Sequence, residues 1–288
     1  MKSGMQPSFL LDTSALIALP TSRLEEASQS ASLYVSPFCF WELLTHLEDD
    51  EKFRRVKGTL MKLRHVEVLD DPHAEVYRSV LPSSDNVNTG ERDGDLICAA
   101  LAALDDSESM EEFYKRDIRD ESGQTRQIAG CVFAVRELLR IEENKFQAFL
   151  RAVAAEVRAG NVRLLEASDY DQAVQDLSRG SWLKIGDRAN GAPVVYEQFV
   201  RKTYMYHSYV IHRAREYAAS GTAMIDPAPN DFEDACLCLH IGLDDFTAVV
   251  TNDAALRRCL GAGLGALNAM ADAPRHTPLQ VWDTTAML

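Results

Sequence analysis

Short apolar runs that end near an acidic residue mark both ends of this chain. Residues 8–13 read Ser-Phe-Leu-Leu-Asp-Thr, and residues 246–251 read Phe-Thr-Ala-Val-Val-Thr, followed by Asn252 and Asp253. A short continuous apolar run is typical of a parallel strand that is buried on both faces. We therefore predict a strand near each end, with Asp12 and Asp253 at the carboxyl ends of the two strands.

The residues between these strands follow mostly helical spacing. Apolar residues three or four positions apart, often after a proline, serine or threonine, predict a series of helices. Their expected ranges are Thr13 or Ser14 to 19, Pro37 to about 48, and about 51–64, 72–80, 95–104, 127–159, 195–219, 230–241 and 252–260. A further strand is expected over 65–69 and a short last strand over 264–267, whereas 161–192 reads as less regular.

This pattern places a helical middle between two α/β ends. We predict an α/β fold whose central parallel sheet is built from 1–104 and 225–288, with a mostly α-helical insertion over 105–224. A length of 288 residues fits one domain with a large insertion as well as it fits two domains.

Composition and charge exclude several classes of protein. With 46% hydrophobic residues the chain can bury a core, so it is not a disordered protein. A net charge of −14 argues against a protein that coats DNA non-specifically, because its overall field repels nucleic acid. No apolar run approaches the roughly 20 residues of a membrane helix, and Asp12 interrupts the N-terminal apolar patch. We expect a cytoplasmic protein without a signal peptide or membrane contact.

The six cysteines do not form a metal motif. None belongs to a CxxC pair, and Cys236 and Cys238 are too close in sequence for the usual zinc knuckle. We expect free thiols in a reducing compartment.

Acidic residues occur where the predicted strands meet helices. Asp12 and Asp253 follow the two strands, and Glu42 lies near the start of an apolar helix. Asp231 and Asp234 are three positions apart, so they share one face of another helix. Each acid alone is explained as a helix cap or a solvated side chain. At the edge of one parallel sheet they would share a crevice, where two carboxylates about 4 Å apart repel by roughly 4 kcal/mol. Such a cluster is typical of a site for Mg²⁺ or Mn²⁺.

The residues around these acids resemble the PIN-domain nucleases. The opening Phe-Leu-Leu-Asp12-Thr-Ser-Ala-Leu-Ile is similar to the first strand and helix of that family. The closing Asn230-Asp-Phe-Glu-Asp234-Ala, with Val-Val-Thr-Asn-Asp253 after it, is similar to the family's last acidic helix and strand. Glu42, in Ser-Pro-Phe-Cys-Phe-Trp-Glu, lies where the family has its second acid.

The resemblance implies a fold, an activity and a set of site residues. The fold is a PIN-like three-layer arrangement with a central parallel sheet. The activity is endonucleolytic cleavage of single-stranded or structured RNA, dependent on Mg²⁺ or Mn²⁺, that leaves a 5′-phosphate and a 3′-hydroxyl. The metal ligands would be five acids, of which all but Asp231 are also assigned to catalysis: Asp12, Glu42, Asp231, Asp234 and Asp253.

The sequence departs from the family pattern in its length and in its third acid. The usual domain is much shorter, which is why 105–224 reads as inserted. The spacing between Asp231 and the glycine that ends its helix matches the family pattern. The spacing between Asp234 and Asp253 fits that pattern better than the spacing between Asp231 and Asp253. Asp95 begins a similar helix but has no Val-Thr-Asn-Asp strand after it, so it ranks below the other two.

Residues that could contact RNA flank the acids or lie in the helical middle. Thr13, Ser14, Thr251 and Asn252 adjoin the strand-end acids. Arg201 and Lys202 share helix 195–219 with several tyrosines, and cations beside aromatic rings can bind phosphates and stack bases. An ordinary amphipathic helix with half-buried tyrosines shows the same pattern. The insertion is expected to select the substrate, or to contact a protein partner or a second copy of the chain.

Two other functions stay open at this point. A catalytically weak or inactive PIN-like module could bind RNA or a protein without cutting it. A metal-dependent phosphatase could use the same acids on small phosphoesters. The RNA target, and a role as the toxin of a toxin–antitoxin pair, are not decided by the sequence.

Overall fold

The computed structural model describes residues 6–45, 47, 49–80, 93–119, 123–189, 193–222, 224–243, 246–269 and 278–287. Its strands within these ranges are β1 (Ser8–Leu11), β2 (Ser32–Val35), β3 (Glu67–Val68), β4 (Asp117–Arg119), β5 (Thr125–Gln127), β6 (Ala248–Val250) and β7 (Gln280–Trp282). Five of them form one parallel sheet in the order β3-β2-β1-β6-β7, and β4 and β5 form an antiparallel pair. The predicted central parallel sheet is therefore confirmed.

Helices account for most of the described residues. They are α1 (Thr13–Ala18), α2 (Thr21–Ser28), α3 (Pro37–Thr45), α4 (Asp50–Leu60), α5 (Pro72–Val80), α6 (Asp93–Asp105), α7 (Met110–Lys115), α8 (Ile128–Arg158), α9 (Ala167–Ala189), α10 (Pro193–Ala219), α11 (Asp231–Leu243) and α12 (Ala254–Ala269). A 3₁₀ turn, Met61–His65, follows α4. In the described ranges, none of these helices has both the length and the apolar composition needed to cross a bilayer.

The central strands are buried on both faces. Leu10 and Leu11 of β1 are fully buried, and so are all three residues of β6. Consecutive side chains of a strand point to opposite faces of a sheet, so other elements must cover both faces. The fold is therefore α/β with a covered parallel sheet, as a three-layer arrangement requires.

The chain enters this sheet at its centre. From β1 it passes to β2 and β3 on one side, and it later returns to place β6 and β7 on the other side. β1 pairs in parallel with both β2 and β6, so the strand order reverses between β1 and β6. In open parallel sheets a crevice forms at such a reversal, outside the carboxyl ends of the strands, and ligands bind there.

Three predicted details are corrected by the structure. Asp12, and not Thr13 or Ser14, caps α1. The segment 161–192, expected to be less regular, contains the long helix α9. Serine and alanine on the buried face of α9 hide its helical periodicity. The segment 264–267 belongs to α12 and is not a strand, since Leu264 and Leu267 are buried at helical spacing.

Six short elements were not predicted, and segment 82–93 lies almost wholly outside the described residues. The elements without a prediction are α2, α7, β2, β4, β5 and β7, which have 8, 6, 4, 3, 3 and 3 residues. Runs this short give little periodic signal. The polar, turn-rich segment 82–93 lies outside the described residues except for Asp93.

The helical middle and the α/β ends are built around one continuous core. Leu150 of α8, Val174 of α9 and Val210 of α10 belong to the same buried cluster as Leu10 and Val249 of the sheet. Helix α10 packs against α8 and α9, and it also packs against α11 and α12. The region 105–224 therefore supports the sheet's helices directly through α10.

Helices α10 and α11 approach closely at Gly242. A Cβ atom added there would lie 2.0 Å from the carbonyl oxygen of Lys202, far inside van der Waals contact. Because the obstructing atom is backbone, a rotamer change cannot relieve the contact. Only a residue without a Cβ permits this approach.

We predict that Gly242→Ala lowers the free energy of unfolding by about 3 kcal/mol, because α10 and α11 must separate to admit the methyl group. Gly180→Ala is the matched control: Gly180 is exposed in the middle of α9, and its Cβ would meet no atom within 4 Å. The control should gain up to about 1 kcal/mol. Urea unfolding followed by circular dichroism measures both. Equal stability of the two variants would contradict the close approach.

A buried histidine joins α9 to α10. The Nδ1 and Nε2 atoms of His207 lie 2.9 Å and 3.1 Å from the hydroxyl oxygens of Ser178 and Ser181. Burial lowers the pKa of His207 to about 3, because the charged imidazolium would lose its hydration. The histidine is therefore neutral in the folded protein at neutral pH.

We predict that this histidine makes stability depend on pH. The unfolded chain takes up a proton at an ordinary histidine pKa of about 6.5 and the folded chain does not, so the contribution of His207 is lost as pH falls below that value. The difference in unfolding free energy between wild type and His207→Gln should shrink by about 1.4 kcal/mol per pH unit between pH 6 and 4. Urea unfolding at several pH values tests this, and a difference independent of pH would refute it.

Candidate functional site

Asp12 and Asp253 lie at the point where the strand order reverses. Asp12 follows β1 and caps α1, and its backbone NH donates to the carbonyl of Val250 at 3.0 Å. Asp253 follows β6, and its Oδ1 accepts from the backbone NH groups of Ala255 and Leu256 at the start of α12. Both acids thus cap a helix and also stand at the mouth of the crevice.

Hydroxyl groups fix the carboxylate of Asp12. Its Oδ2 accepts from the hydroxyl of Thr251 at 2.8 Å, across 239 positions of sequence, and also from the hydroxyl of Ser14. The backbone NH of Asn252 donates to the Ser14 hydroxyl oxygen at 2.9 Å. These bonds join the carboxyl ends of β1 and β6 into one polar unit.

Helix α3 brings Glu42 to the same place. The hydroxyl of Thr13 donates to Oε2 of Glu42 at 2.7 Å, which links α3 to the residue after Asp12. Phe38 of α3 meets Phe232 of α11 edge to face, with ring centroids 5.7 Å apart. This aromatic contact holds the helix of Glu42 against the helix of Asp234.

The acids line one cleft of about 150 Å³. Among the described residues that line it, five side chains are carboxylates from four separate segments, and none is Lys or Arg. The carboxylates are Asp12, Glu42, Glu233, Asp234 and Asp253. The remaining lining residues are Thr13, Ser14, Ile17, Ser36, Phe38, Cys39, Asn230 and Leu237. We call the cavity lined by these residues the acidic cleft.

Burial and mutual repulsion disfavour charge in the acidic cleft. Burial raises the pKa of Asp234 well above its usual range, and the nearby carboxylates of Asp12 and Asp253 raise it further. Burial also raises the pKa of Asp12, although hydrogen bonds from Ser14 and Thr251 act in the opposite direction. The folded protein therefore holds these acids at a cost that a cation in the cleft would offset.

Glu233 is a cleft residue that the sequence analysis did not select. Its Oε2 is buried and has no hydrogen-bond partner among the residues that the structure describes. Burial raises the pKa of Glu233, and the charges of Glu42 and Glu143 add to the effect. The available signal was the density of acids at the start of α11, where Asp231, Glu233 and Asp234 all fall in the first turn.

Asp231 does not line the acidic cleft, and this corrects its assignment as a metal ligand. Its carboxylate is fully buried in an ion pair with Arg213, whose Nε lies 2.7 Å from Oδ1. The hydroxyls of Tyr209 and Tyr217 and the NH of Ala228 also donate to it. A carboxylate with its charge compensated and both oxygens occupied is a structural anchor. The structure thus favours Asp234 over Asp231 as the third acid.

The other predicted site residues divide between the cleft and its surroundings. Thr13 and Ser14 line the cleft, as expected for residues that could meet a substrate. Thr251 is fully buried and holds Asp12, so it is not a substrate contact. The side chain of Asn252 accepts from Thr284 in the C-terminal turn and points its oxygen there. The side chain of Asp95 lies outside the described residues.

Helix α10 does not present the predicted RNA surface. Arg201 is exposed and Lys202 half-buried, and neither lines the acidic cleft. Tyr204 and Tyr209 are buried and donate to Asp171 and Asp231, so their rings cannot stack on bases. The interpretation of 195–219 as a packing helix is the one that the structure supports.

The cysteines form no disulfide bond. All six lie in the described ranges and are thiols, as predicted. Cys39 lines the acidic cleft, where burial and the charge of Asp12 raise its pKa above the ordinary thiol value. A thiol kept protonated in this way is a poor nucleophile.

The donor set of the cleft fits a hard divalent cation in its chemistry. Five carboxylates offer the oxygen ligands that Mg²⁺ and Mn²⁺ prefer, and Oε2 of Glu233 has no other partner. Within the described ranges, no three His, Cys, Asp or Glu side chains already stand close enough together to hold an ion. The cleft thus gathers suitable donors without a preformed ligand shell.

Comparisons of this chain with protein-family models, with curated proteins and with solved structures find no match.

We predict that the two neighbouring acids of α11 have opposite effects on stability. Asp231→Asn should lower the free energy of unfolding by about 3 kcal/mol, because it removes the charge that compensates the partly buried Arg213. Asp234→Asn should leave stability unchanged or raise it, since it removes a repelled, buried carboxylate. Urea unfolding at pH 7 in EDTA compares them. A larger loss for Asp234→Asn than for Asp231→Asn would contradict the assignment.

Proposed function

We propose that this chain is a metal-dependent endoribonuclease with a PIN-like fold. The observation that carries the proposal is the gathering of acids from both ends of the chain in one cleft. Asp12 and Asp253 come from neighbouring strands, Glu42 comes from α3, and Glu233 and Asp234 come from α11. Folding places these acids at the reversal of the sheet, where α/β proteins bind ligands.

The energetic argument favours a bound cation. Burying several carboxylates without compensation is costly, and no Lys or Arg side chain among the described lining residues offsets that cost. A divalent ion would be held by Asp12, Asp234 and Asp253, with Glu42 and Glu233 beside them. When bound, Mg²⁺ or Mn²⁺ lowers the pKa of coordinated water and stabilises charge on a phosphate undergoing in-line attack.

The chain's own residues would orient the site and the substrate. Thr251 and Ser14 hold Asp12 through its Oδ2, so its carboxylate has a fixed direction before a ligand arrives. Thr13 fixes Glu42 in the same way. Because every charged side chain among the described residues that line the cleft is acidic, a phosphodiester would be repelled until a cation is present. Activity should therefore depend strictly on added divalent metal.

RNA as the substrate is supported by resemblance to the PIN-domain nucleases in the motifs that contain Asp12, Glu42, Asp234 and Asp253. Cleavage within an RNA strand, with a 5′-phosphate and a 3′-hydroxyl as products, belongs to the same resemblance. The helices of 105–224 would then select the substrate or meet a protein partner or second copy.

The second candidate is a PIN-like module that binds RNA or a protein without cutting. The lack of a ready-made ligand group among the described acids favours it. The two candidates differ in one measurable property, since only the nuclease needs the carboxylates to close around a cation.

We predict that the wild-type protein binds Mn²⁺ and cleaves single-stranded RNA, and that Asp12→Asn abolishes cleavage by at least about 100-fold because it removes a central ligand. Isothermal titration with Mn²⁺ and a fluorescent RNA cleavage assay measure the two effects. Circular dichroism confirms that the variant is folded.

Asp117→Asn is the matched control, because it makes the same change at an exposed residue of β4 outside the cleft. It should retain wild-type cleavage. RNA binding without Mn²⁺ binding or cleavage would support the binding module, and turnover of p-nitrophenyl phosphate in preference to RNA would support a phosphatase. Equal cleavage by Asp12→Asn and wild type would refute the proposed site.

A further inference from the structure

The hydroxyl of Tyr209 lies between the two neighbouring acids of α11. Tyr209 belongs to α10, and its hydroxyl is 2.8 Å from Oδ1 of Asp231 and 3.1 Å from Oδ2 of Asp234. The side chain is 1% exposed, so water does not compete for these bonds. One side chain from the helical middle thus touches both the buried ion pair and a carboxylate of the acidic cleft.

Asp231 and Asp234 share the single proton of the Tyr209 hydroxyl, and Asp231 has further donors of its own. Its Oδ1 also accepts from Nε of Arg213 at 2.7 Å, and its Oδ2 accepts from the hydroxyl of Tyr217 at 2.6 Å and the NH of Ala228 at 3.0 Å. The ion pair with Arg213 compensates its charge. Asp231 therefore acts as a fixed acceptor that holds the Tyr209 hydroxyl in place.

Asp234 has fewer partners. In the part of the chain that the structure describes, Tyr209 supplies the hydrogen bond to its carboxylate, while Asp12 and Asp253 repel it from across the cleft. Repulsion from two carboxylates favours rotation of a third carboxylate away from them, unless a hydrogen bond holds it in place. The hydroxyl of Tyr209, on α10, makes that bond.

We propose that Tyr209 is a positioning residue: anchored by the Arg213–Asp231 ion pair, its hydroxyl donates to Oδ2 of Asp234 and holds that carboxylate in the acidic cleft for a divalent cation. The inference rests on the metal-dependent function proposed above. Groups that orient a metal ligand commonly change metal affinity 10–100-fold when they are removed.

The test compares Tyr209→Phe with Tyr217→Phe. Both variants keep the ring and remove one hydroxyl that donates to Asp231, but only the Tyr209 hydroxyl reaches Asp234. Isothermal titration gives the Kd for Mn²⁺. Urea unfolding gives the urea concentration at the midpoint of unfolding. Tyr209→Phe should raise the Kd about tenfold, and Tyr217→Phe should change it less than about twofold. Both should lower the unfolding midpoint by similar amounts.

A second arm separates positioning from general loosening. In an Asp234→Asn background, Tyr209→Phe should change the Mn²⁺ affinity less than about twofold, because the carboxylate it acts through is gone. Equal effects of the two phenylalanine variants, or a full tenfold loss in the Asp234→Asn background, would overturn the inference and leave the proposed function intact. A wild-type protein that binds no Mn²⁺ would overturn the proposed function, and the inference with it.

Discussion

The repulsion among carboxylates buried at one edge of a parallel sheet is the constraint on which this structure depends. Asp12 and Asp253 are brought together by the pairing of β1 with β6, and α11 adds Asp234 to them. Hydroxyl groups of Ser14, Thr251 and Tyr209 surround this cluster with donors. These hydrogen bonds therefore hold carboxylates of like charge together in spite of their mutual repulsion.

Sequence reasoning could identify the acids that lie at the ends of buried strands, because the signal is local. An apolar run followed by an acid predicts both the strand and the place of the side chain, and it located Asp12 and Asp253 correctly in one crevice. Glu42 followed from its place in an apolar helix. The parallel sheet itself could be predicted from the continuous apolar runs of its central strands. The short strands β2 and β7 could not be predicted.

The choice between Asp231 and Asp234 could not be made from sequence, because their partners are far away along the chain. Arg213 and Tyr209 lie in α10, and only folding shows that they compensate Asp231. The tyrosines of α10 illustrate the same limit. Cations that alternate with aromatic residues are typical both of an RNA-binding surface and of a helix packed in the core. The burial of Tyr204 shows that this helix is packed in the core. A periodic pattern gives the face of a helix but not the element that covers it.

One turn of α11 carries a structural acid and a cleft acid, and this has a consequence for any attempt to reduce the protein to a minimal domain. Joining the segments before and after the helical middle would delete Arg213, Tyr209 and Tyr217, the side chains that compensate Asp231. The shortened chain would leave Asp231 without its ion pair, and it would expose the face of α11 that packs against α10. The helical middle thus supplies both the counterion of Asp231 and part of the core on which α11 rests, so its removal would weaken the α/β part at the wall of the acidic cleft.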